Sequence, residues 1–169
     1  RTSKTFSIAM QIAQEMGILD EGDLVVQTAG TLTGISGSTD LIKVGIVREV
    51  IARGVSIGEN GVTGKVRIIK KEIDLSLISQ GEILVVKSNL LNSLPFSKEI
   101  TGIVTDQSED ECLKIYKSNN IIISTICNLD SIDKNIKDGD LITLQLNEGV
   151  IYKGQSEEHD DTMDKYKYV

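Results

Sequence analysis

Apolar and polar positions along this chain follow a helical period first and a strand period afterwards. Residues 4–16, KTFSIAMQIAQEM, set Phe6, Ala9, Ile12, Ala13 and Met16 at helical spacing, which predicts an amphipathic helix with that apolar face. Thr2 or Ser3 suits its start and Gly17 its end. A turn over 20–22 then leads into two apolar strands, 24–28 and 41–47, joined by a run of Gly, Ser and Thr. Residues 48–56, REVIARGVS, read as a connector with Gly54 as a hinge. From Ile57 onward strands predominate: 65–70, 82–87, 100–105 and 121–126, with 138–146 and 149–152 as a closing hairpin. Residues 90–95 read as a loop. Residues 110–116, DECLKIY, form one short helix with Cys112, Leu113, Ile115 and Tyr116 as its apolar side. This second stretch, roughly 100 residues long, predicts an α/β or α+β domain. The helix and two strands before it bury too little to stand as a domain.

Composition narrows the function classes. The chain has 169 residues, 40% of them hydrophobic, and no apolar run approaches the ~20 residues that cross a bilayer. No signal-peptide pattern opens it, and its first residue is Arg1, so it reads as a soluble piece of something longer, cytoplasmic with a plastid or other organelle left open. A formal charge of −7 disfavours nucleic acid and anionic membranes as partners, and 4% aromatic content without Trp disfavours base stacking. Much of the excess charge sits in Glu157, Glu158, Asp160, Asp161 and Asp164, an acidic solvated tail over 155–169. Cys112 and Cys127 lie inside apolar patterns and read as buried free thiols; His159 is in the tail. These three are too few and too scattered for a zinc site or a Cys–His nucleophile, so no metal ligand and no catalytic residue is assigned in this chain.

The candidate chemistry lies between the two early strands. Gly30, Gly34, Gly37 and Gly45, with Ser36, Ser38 and Thr39, fall within or beside one loop. Glycine lets backbone N–H groups turn toward a ligand, and the hydroxyls add donors, so such a loop can hold a phosphate. It can equally be a flexible connection between buried strands.

The ordered string GDLVVxTAG, then GxSGST, then a polar residue and LIKV closely resembles the last two strands of the pyruvate kinase C-terminal domain. The resemblance implies that the loop borders an allosteric pocket for a sugar phosphate or nucleotide, with Thr28, Gly30, Gly34, Ser36, Gly37, Ser38 and Thr39 on the effector side. The family usually carries Asn after the Thr. This chain carries Asp40, which weakens binding of an anion placed against it.

A second resemblance covers roughly 57–154. The strings GxxGVxGKV, QGEILVV, GIVT, IKDGDLITL and EGVIYKG run in the order found in the swivelling phosphohistidine domain of phosphoenolpyruvate-utilising enzymes. Some pyruvate kinases carry such a domain as an extra C-terminal segment. In active members a Gly-Gly-x-Thr-Ser-His string follows the GIVT strand, and its imidazole carries the phosphoryl group. Here Asp106, Gln107, Ser108, Glu109, Asp110 and Glu111 follow, with Asp110 about where the histidine belongs. Carboxylates at Asp106, Glu109, Asp110 and Glu111 repel a phosphoryl group. An aspartyl phosphate at Asp110 lacks the Mg²⁺ and Lys it needs, and the calcium-loop pattern is absent. The turn reads as an acidic helix start.

Together these imply an α/β chain: the end of a pyruvate kinase C-terminal domain over 1–54, a helix plus two strands, followed over 55–154 by a swivelling phosphohistidine-like β/β/α domain that has lost phosphotransfer. The implied parent transfers phosphate from phosphoenolpyruvate to ADP with Mg²⁺ and K⁺, as a homotetramer joined through this C-terminal domain, and the rest of that polypeptide is this chain's partner. The alternative is a non-enzymatic module that binds a phosphorylated metabolite.

Overall fold

A computed structural model describes residues 2–30 and 41–155. The described chain divides into two compact units, one ending at Glu49 and the other running from Val50.

In the first unit, helix α1 (Thr2–Glu15) precedes an antiparallel hairpin of β1 (Leu24–Ala29) and β2 (Leu41–Ile46). The helix closes as the sequence anticipates: Gly17 N–H donates to Gln14 O and Ile18 N–H to Ala13 O, each at 2.9 Å, satisfying carbonyls that the last turn leaves open. Its packed face differs from the expected one. Phe6 and Ser7 are buried, whereas Ala9, Ile12 and Met16 are exposed. The helix is apolar on more than one side, so periodicity alone did not pick the side that meets the hairpin. That contact is visible in Gln27 Nε2, which donates to Phe6 O at 2.8 Å, and in Lys43 Nζ, 5.9 Å from the centre of the Phe6 ring. Thr2, offered as a cap, begins the helix itself, with Ser3 inside it.

The second unit is built on a mixed eight-stranded sheet. Its strands are β3 (Val50–Arg53), β4 (Val55–Ile57), β5 (Val62–Ile69), β6 (Ile83–Val86), β7 (Gly102–Thr105), β8 (Thr125–Cys127), β9 (Leu141–Gln145) and β10 (Val150–Lys153). Their spatial order is β3-β10-β9-β5-β6-β7-β8-β4. Strand β5 belongs to two neighbourhoods. Its first half, Val62 to Lys65, pairs antiparallel with β9, and its second half, Val66 to Ile69, pairs parallel with β6. The sheet therefore has an antiparallel wing (β3, β10, β9) and a parallel centre (β5 to β8) that share one strand.

Two cores follow from the alternation of side chains. Ile83 and Val85 of β6 join Val66, Val104 and Ile126 against Ile142, Leu144 and Ile151 of the antiparallel wing. Leu84 and Val86 point the other way, with Ile69, Ile103 and Cys127, against Cys112 and Tyr116 of helix α3 (Glu109–Ser118) and Leu90 and Leu91 of the short helix α2 (Ser88–Leu91). The layers are thus sheet, sheet and helix, with a central parallel sheet buried on both faces, which is why EILVVK reads as an unbroken apolar run.

Several expectations needed correction. The connector expected over 48–56 contains β3 and most of β4, which form the two ends of the sheet. Residues 90–95 open in helix α2, and a 3₁₀ segment, Glu72–Leu77, stands where no element was expected. Only the last part of 121–126 joins a strand, and Ile122 is 81% exposed. Leu113, placed on the apolar side of α3, is exposed. Short three- to four-residue strands carry too few positions for period 2 to register. The tail from 156 onward, His159 included, lies outside the described residues.

Candidate functional site

Two places in the structure can bear on function. The first is the open end of the β1–β2 hairpin. The register pairs Thr28 with Ile42 and Ala29 with Leu41, so the chain leaves and re-enters the hairpin side by side. Thr28 lies on the exposed face of β1, in line with Leu24 and Val26, and Gly30 follows the strand directly. Gly34, Ser36, Gly37, Ser38, Thr39 and Asp40 lie outside the described residues. The structure thus brings together the two ends of the predicted loop and leaves its middle undescribed.

The second place is the carboxyl edge of the parallel strands in the other unit. A cavity of about 190 Å³ opens there, lined by the ends of β5 and β6, by Asp106, and by residues 129–132. Edges of this kind are where open α/β sheets bind ligands. The strands end in register, with Ile69 beside Val86 and Val86 beside Thr105, so the next residues, Lys70, Lys87 and Asp106, stand in a row along the rim. The rim is tied down by backbone-directed bonds. Asp106 Oδ1 accepts from Ser88 N–H at 2.6 Å, and Asp74 Oδ2 accepts from the N–H groups of Lys70 and Lys71, each at 2.9 Å. Those two donors hold the Asp74 carboxyl below its ordinary range. Across the cavity, the loop over 128–131 is fastened to the β7–α3 turn: Asn128 N–H donates to Gln107 O at 2.9 Å and Leu129 N–H to Thr105 O at 3.3 Å. Asn128 and Ser131 both take left-handed backbone angles, at φ 59° and 55°.

Asp110 is close in sequence to this edge and does not line the cavity; Asp106 does. Asp110 sits exposed in the first turn of α3 between Glu109 and Glu111, where carboxylates favour the positive helix end. Ser108 caps that helix, its Oγ accepting from Glu111 N–H at 3.4 Å, and Lys114 Nζ lies 2.5 Å from Glu111 Oε1. Among the described residues, no three His, Cys, Asp or Glu side chains converge on a position that could hold a metal ion.

Residues 1–45 match the family described as pyruvate kinase, alpha/beta domain. Over 153 residues the chain is 37% identical to Pyruvate kinase 2 of Synechocystis sp., a match that spans 90% of this chain and 26% of that protein. The chain matches the C-terminal region of pyruvate kinases. It is 30% identical to the pyruvate kinase of Staphylococcus haemolyticus and 29% identical to that of Geobacillus stearothermophilus, covering 90% and 92% of this chain respectively and 26% and 27% of those proteins. The chain therefore spans about a quarter of the length of the pyruvate kinases it matches. Among solved structures, aconitase X of Thermococcus kodakaraensis overlays with a TM-score of 0.44 and 16% identity, across 61% of this chain and 97% of that one, too loosely to define the fold.

Sequence reasoning missed Lys70, Lys87, Asp130 and Ser131, which line the cavity. A signal was present: two apolar runs, RIIK and ILVVK, each end in Lys, and in a parallel sheet such endings fall side by side.

Proposed function

We propose that this chain is the C-terminal, regulatory and structural portion of a pyruvate kinase, which transfers the phosphoryl group of phosphoenolpyruvate to ADP in glycolysis. The observation that carries this reading is the 37% identity to Pyruvate kinase 2 of Synechocystis sp. across nine-tenths of the chain. Chemistry belongs to the remaining three-quarters of such a polypeptide. The Mg²⁺ and K⁺ that the reaction uses are assigned there too.

Within this chain, Thr28, Gly30, Gly34, Ser36, Gly37, Ser38 and Thr39 border an effector carrying phosphate, a bisphosphorylated sugar, a sugar monophosphate or AMP. The paired strand ends at Ala29 and Leu41 support this, since they hold the two stems of that segment together. The unit from Val50 is read as a swivelling phosphohistidine-like domain. The strings that carry the resemblance fall on β5, β6, β7, β9 and β10 of one unit, and its layers run sheet, sheet, helix. With Asp110 in place of the histidine, the domain is an attachment that supports a homotetramer or tunes the effector response.

The test is an assay of the whole polypeptide for pyruvate release from phosphoenolpyruvate and ADP, with and without fructose 1,6-bisphosphate, ribose 5-phosphate or AMP. Turnover is expected, with one effector shifting it and a Ser36→Ala/Thr39→Ala variant losing the shift. At 100 times its dissociation constant that effector adds about 2.7 kcal/mol to stability. Absence of turnover together with a retained thermal shift would establish the metabolite-binding module instead. Turnover indifferent to all three ligands would remove the effector site.

A further inference from the structure

We infer that Asn60 is a modification site: its side-chain amide closes on the Gly61 nitrogen and is lost, leaving aspartate or isoaspartate at position 60. Asn60–Gly61 is the one Asn-Gly step in the sequence, and Asp138–Gly139 is the one Asp-Gly step. Both can cyclise by the same route, because glycine has no Cβ to crowd the approach to its nitrogen. Both are exposed, in the unit from Val50. Hydrogen bonding separates them.

Asn60 stands in the bend between β4, which ends at Ile57, and β5, which begins at Val62. The register fixes where the Gly61 N–H points. Val66 N–H donates to Asp140 O at 2.9 Å, and ahead of it Gly64 and Val62 face Ile142 and Leu144. Bonded and non-bonded pairs alternate along an antiparallel ladder, so 66, 64 and 62 are bonded positions. Gly61 comes at a non-bonded one, with its N–H directed away from β9. Among the described residues, neither this N–H nor the Asn60 side chain has a hydrogen-bond partner. At Asp138 the corresponding atoms are tied. Its Oδ1 accepts from Ile68 N–H at 2.6 Å, and Gly139 N–H donates to Val66 O at 2.9 Å. Ring closure there has to break both bonds.

In the reaction, the Gly61 nitrogen attacks Asn60 Cγ and gives up its proton. The Cγ–Nδ2 bond breaks, and ammonia leaves with a proton in place of that bond. Water then adds to either carbonyl of the five-membered imide and opens it. One water is consumed and one ammonia released, with no oxidant, reductant or cofactor. One opening restores the ordinary main chain. The other routes the main chain through the former side chain, adding a methylene just ahead of β5. Either product makes the formal charge one unit more negative than −7. This site is independent of the effector reading for residues 28–39.

The experiment is incubation of the whole polypeptide at pH 8, native and in urea, with the peptides covering positions 60 and 138 followed by mass and by chromatographic separation of isoaspartate. Position 60 should convert in the folded protein within about threefold of its rate in urea, giving both products. Folding should slow position 138 by about thirtyfold, the factor that two hydrogen bonds of ordinary net strength supply. Gly61→Ala places a Cβ 3.0 Å from Oε1 of Gln145, the far end of a flexible side chain, so the variant should keep its melting temperature. It should convert about tenfold more slowly or less still. Should it fail to fold, Asn60→Gln replaces it, an exposed change whose longer side chain closes a larger ring more slowly. Folding that slows position 60 as much as position 138 would mean that the bend forbids the attack, and would overturn the proposal. So would a product that is aspartate alone, which direct hydrolysis gives without the ring, or conversion that the variant leaves unchanged.

Discussion

Arg67 and Glu82 meet across the parallel pair β5–β6, with Arg67 Nη2 2.9 Å and Nε 3.2 Å from Glu82 Oε1. Glu82 also accepts from Ser79 N–H at 2.8 Å. Burial works against the carboxylate and is the largest influence on it, but the Arg67 hydrogen bond, the Ser79 N–H and the Arg67 charge together outweigh it. The Glu82 carboxyl is held below its ordinary range, and Arg67 is raised in turn, chiefly by its bond to Glu82. A depressed folded-state value means that the pair stabilises the fold above the unfolded glutamate value, about 4.3, and that this contribution disappears as pH falls through the folded value. Glu82→Gln should therefore cost about 1–3 kcal/mol at pH 7 and progressively less in acid. Urea unfolding of both proteins from pH 7 down to pH 3 measures this. A gap that stays constant with pH would show that the carboxylate charge contributes nothing.

Tyr116 Oη lies 2.5 Å from Thr125 Oγ1, and Thr125 Oγ1 lies 2.8 Å from Ile123 O. The threonine has one proton and the carbonyl can only accept, so Thr125 donates to Ile123 and Tyr116 donates to Thr125. Both side chains are buried. Tyr116→Phe removes a donor and leaves the threonine proton satisfied, at a cost of about 1 kcal/mol. Thr125→Val strands the tyrosine proton in the core and should cost more, about 2 kcal/mol, with the double variant well short of the sum. Chemical denaturation of the three variants checks the order, and equal single-variant costs would refute the assigned direction of donation.

The legible parts of this fold are the ones with long, uniform patterns. The strands over 24–29 and 41–46 and the buried run at 83–86 emerge from apolar runs bounded by Gly or charge, and their expected ends fall within one residue of the observed ones. Strand β4, Val55–Ile57, has three residues and depends on pairing with Thr125–Cys127, seventy residues away, which no local pattern encodes. The face chosen by α1 was hidden for a different reason: Ile8, Ile12 and Met16 make its second side as apolar as the first. The cavity was invisible because Lys70, Lys87 and Asp106 are neighbours only through the register of three strands.

Gly54 was expected to be a hinge, and the structure makes it a tight crossing. A Cβ added there would stand 2.5 Å from Cys127 O and 2.8 Å from Ile126 Cγ2, between β3 and β4. The first of these is backbone and cannot turn aside. Gly54→Ala should destabilise by about 2–3 kcal/mol or more. Gly139 is the control: its φ of 84° strains an alanine, but nothing lies within 4 Å, so Gly139→Ala should cost about 1–2 kcal/mol. Thermal melts of the two variants compare them. A Gly54→Ala protein as stable as the parent would mean that β3 and β4 shift freely and that the hinge reading was right.

Cys112 on α3 and Cys127 on β8 are both fully buried free thiols, each in the other's electrostatic reach. Burial pushes the Cys112 thiol up to about 12, with the neighbouring Cys127 adding to the effect, and burial also raises Cys127, with Glu109 adding to it. The thiolate is the nucleophile, so at pH 8 the folded protein holds almost none of the reactive form at Cys112, and no reagent reaches either sulfur without opening the helix layer. Iodoacetamide at pH 8 should leave both cysteines unmodified over hours in native buffer and alkylate both within minutes in urea, read as mass added to the intact chain. Because alkylation then reports opening, Thr125→Val should speed native labelling by the same factor by which it raises the open population, about thirtyfold for 2 kcal/mol. Rapid native labelling of the parent at a single cysteine would instead mean that α3 parts from β8 in a local motion far cheaper than unfolding.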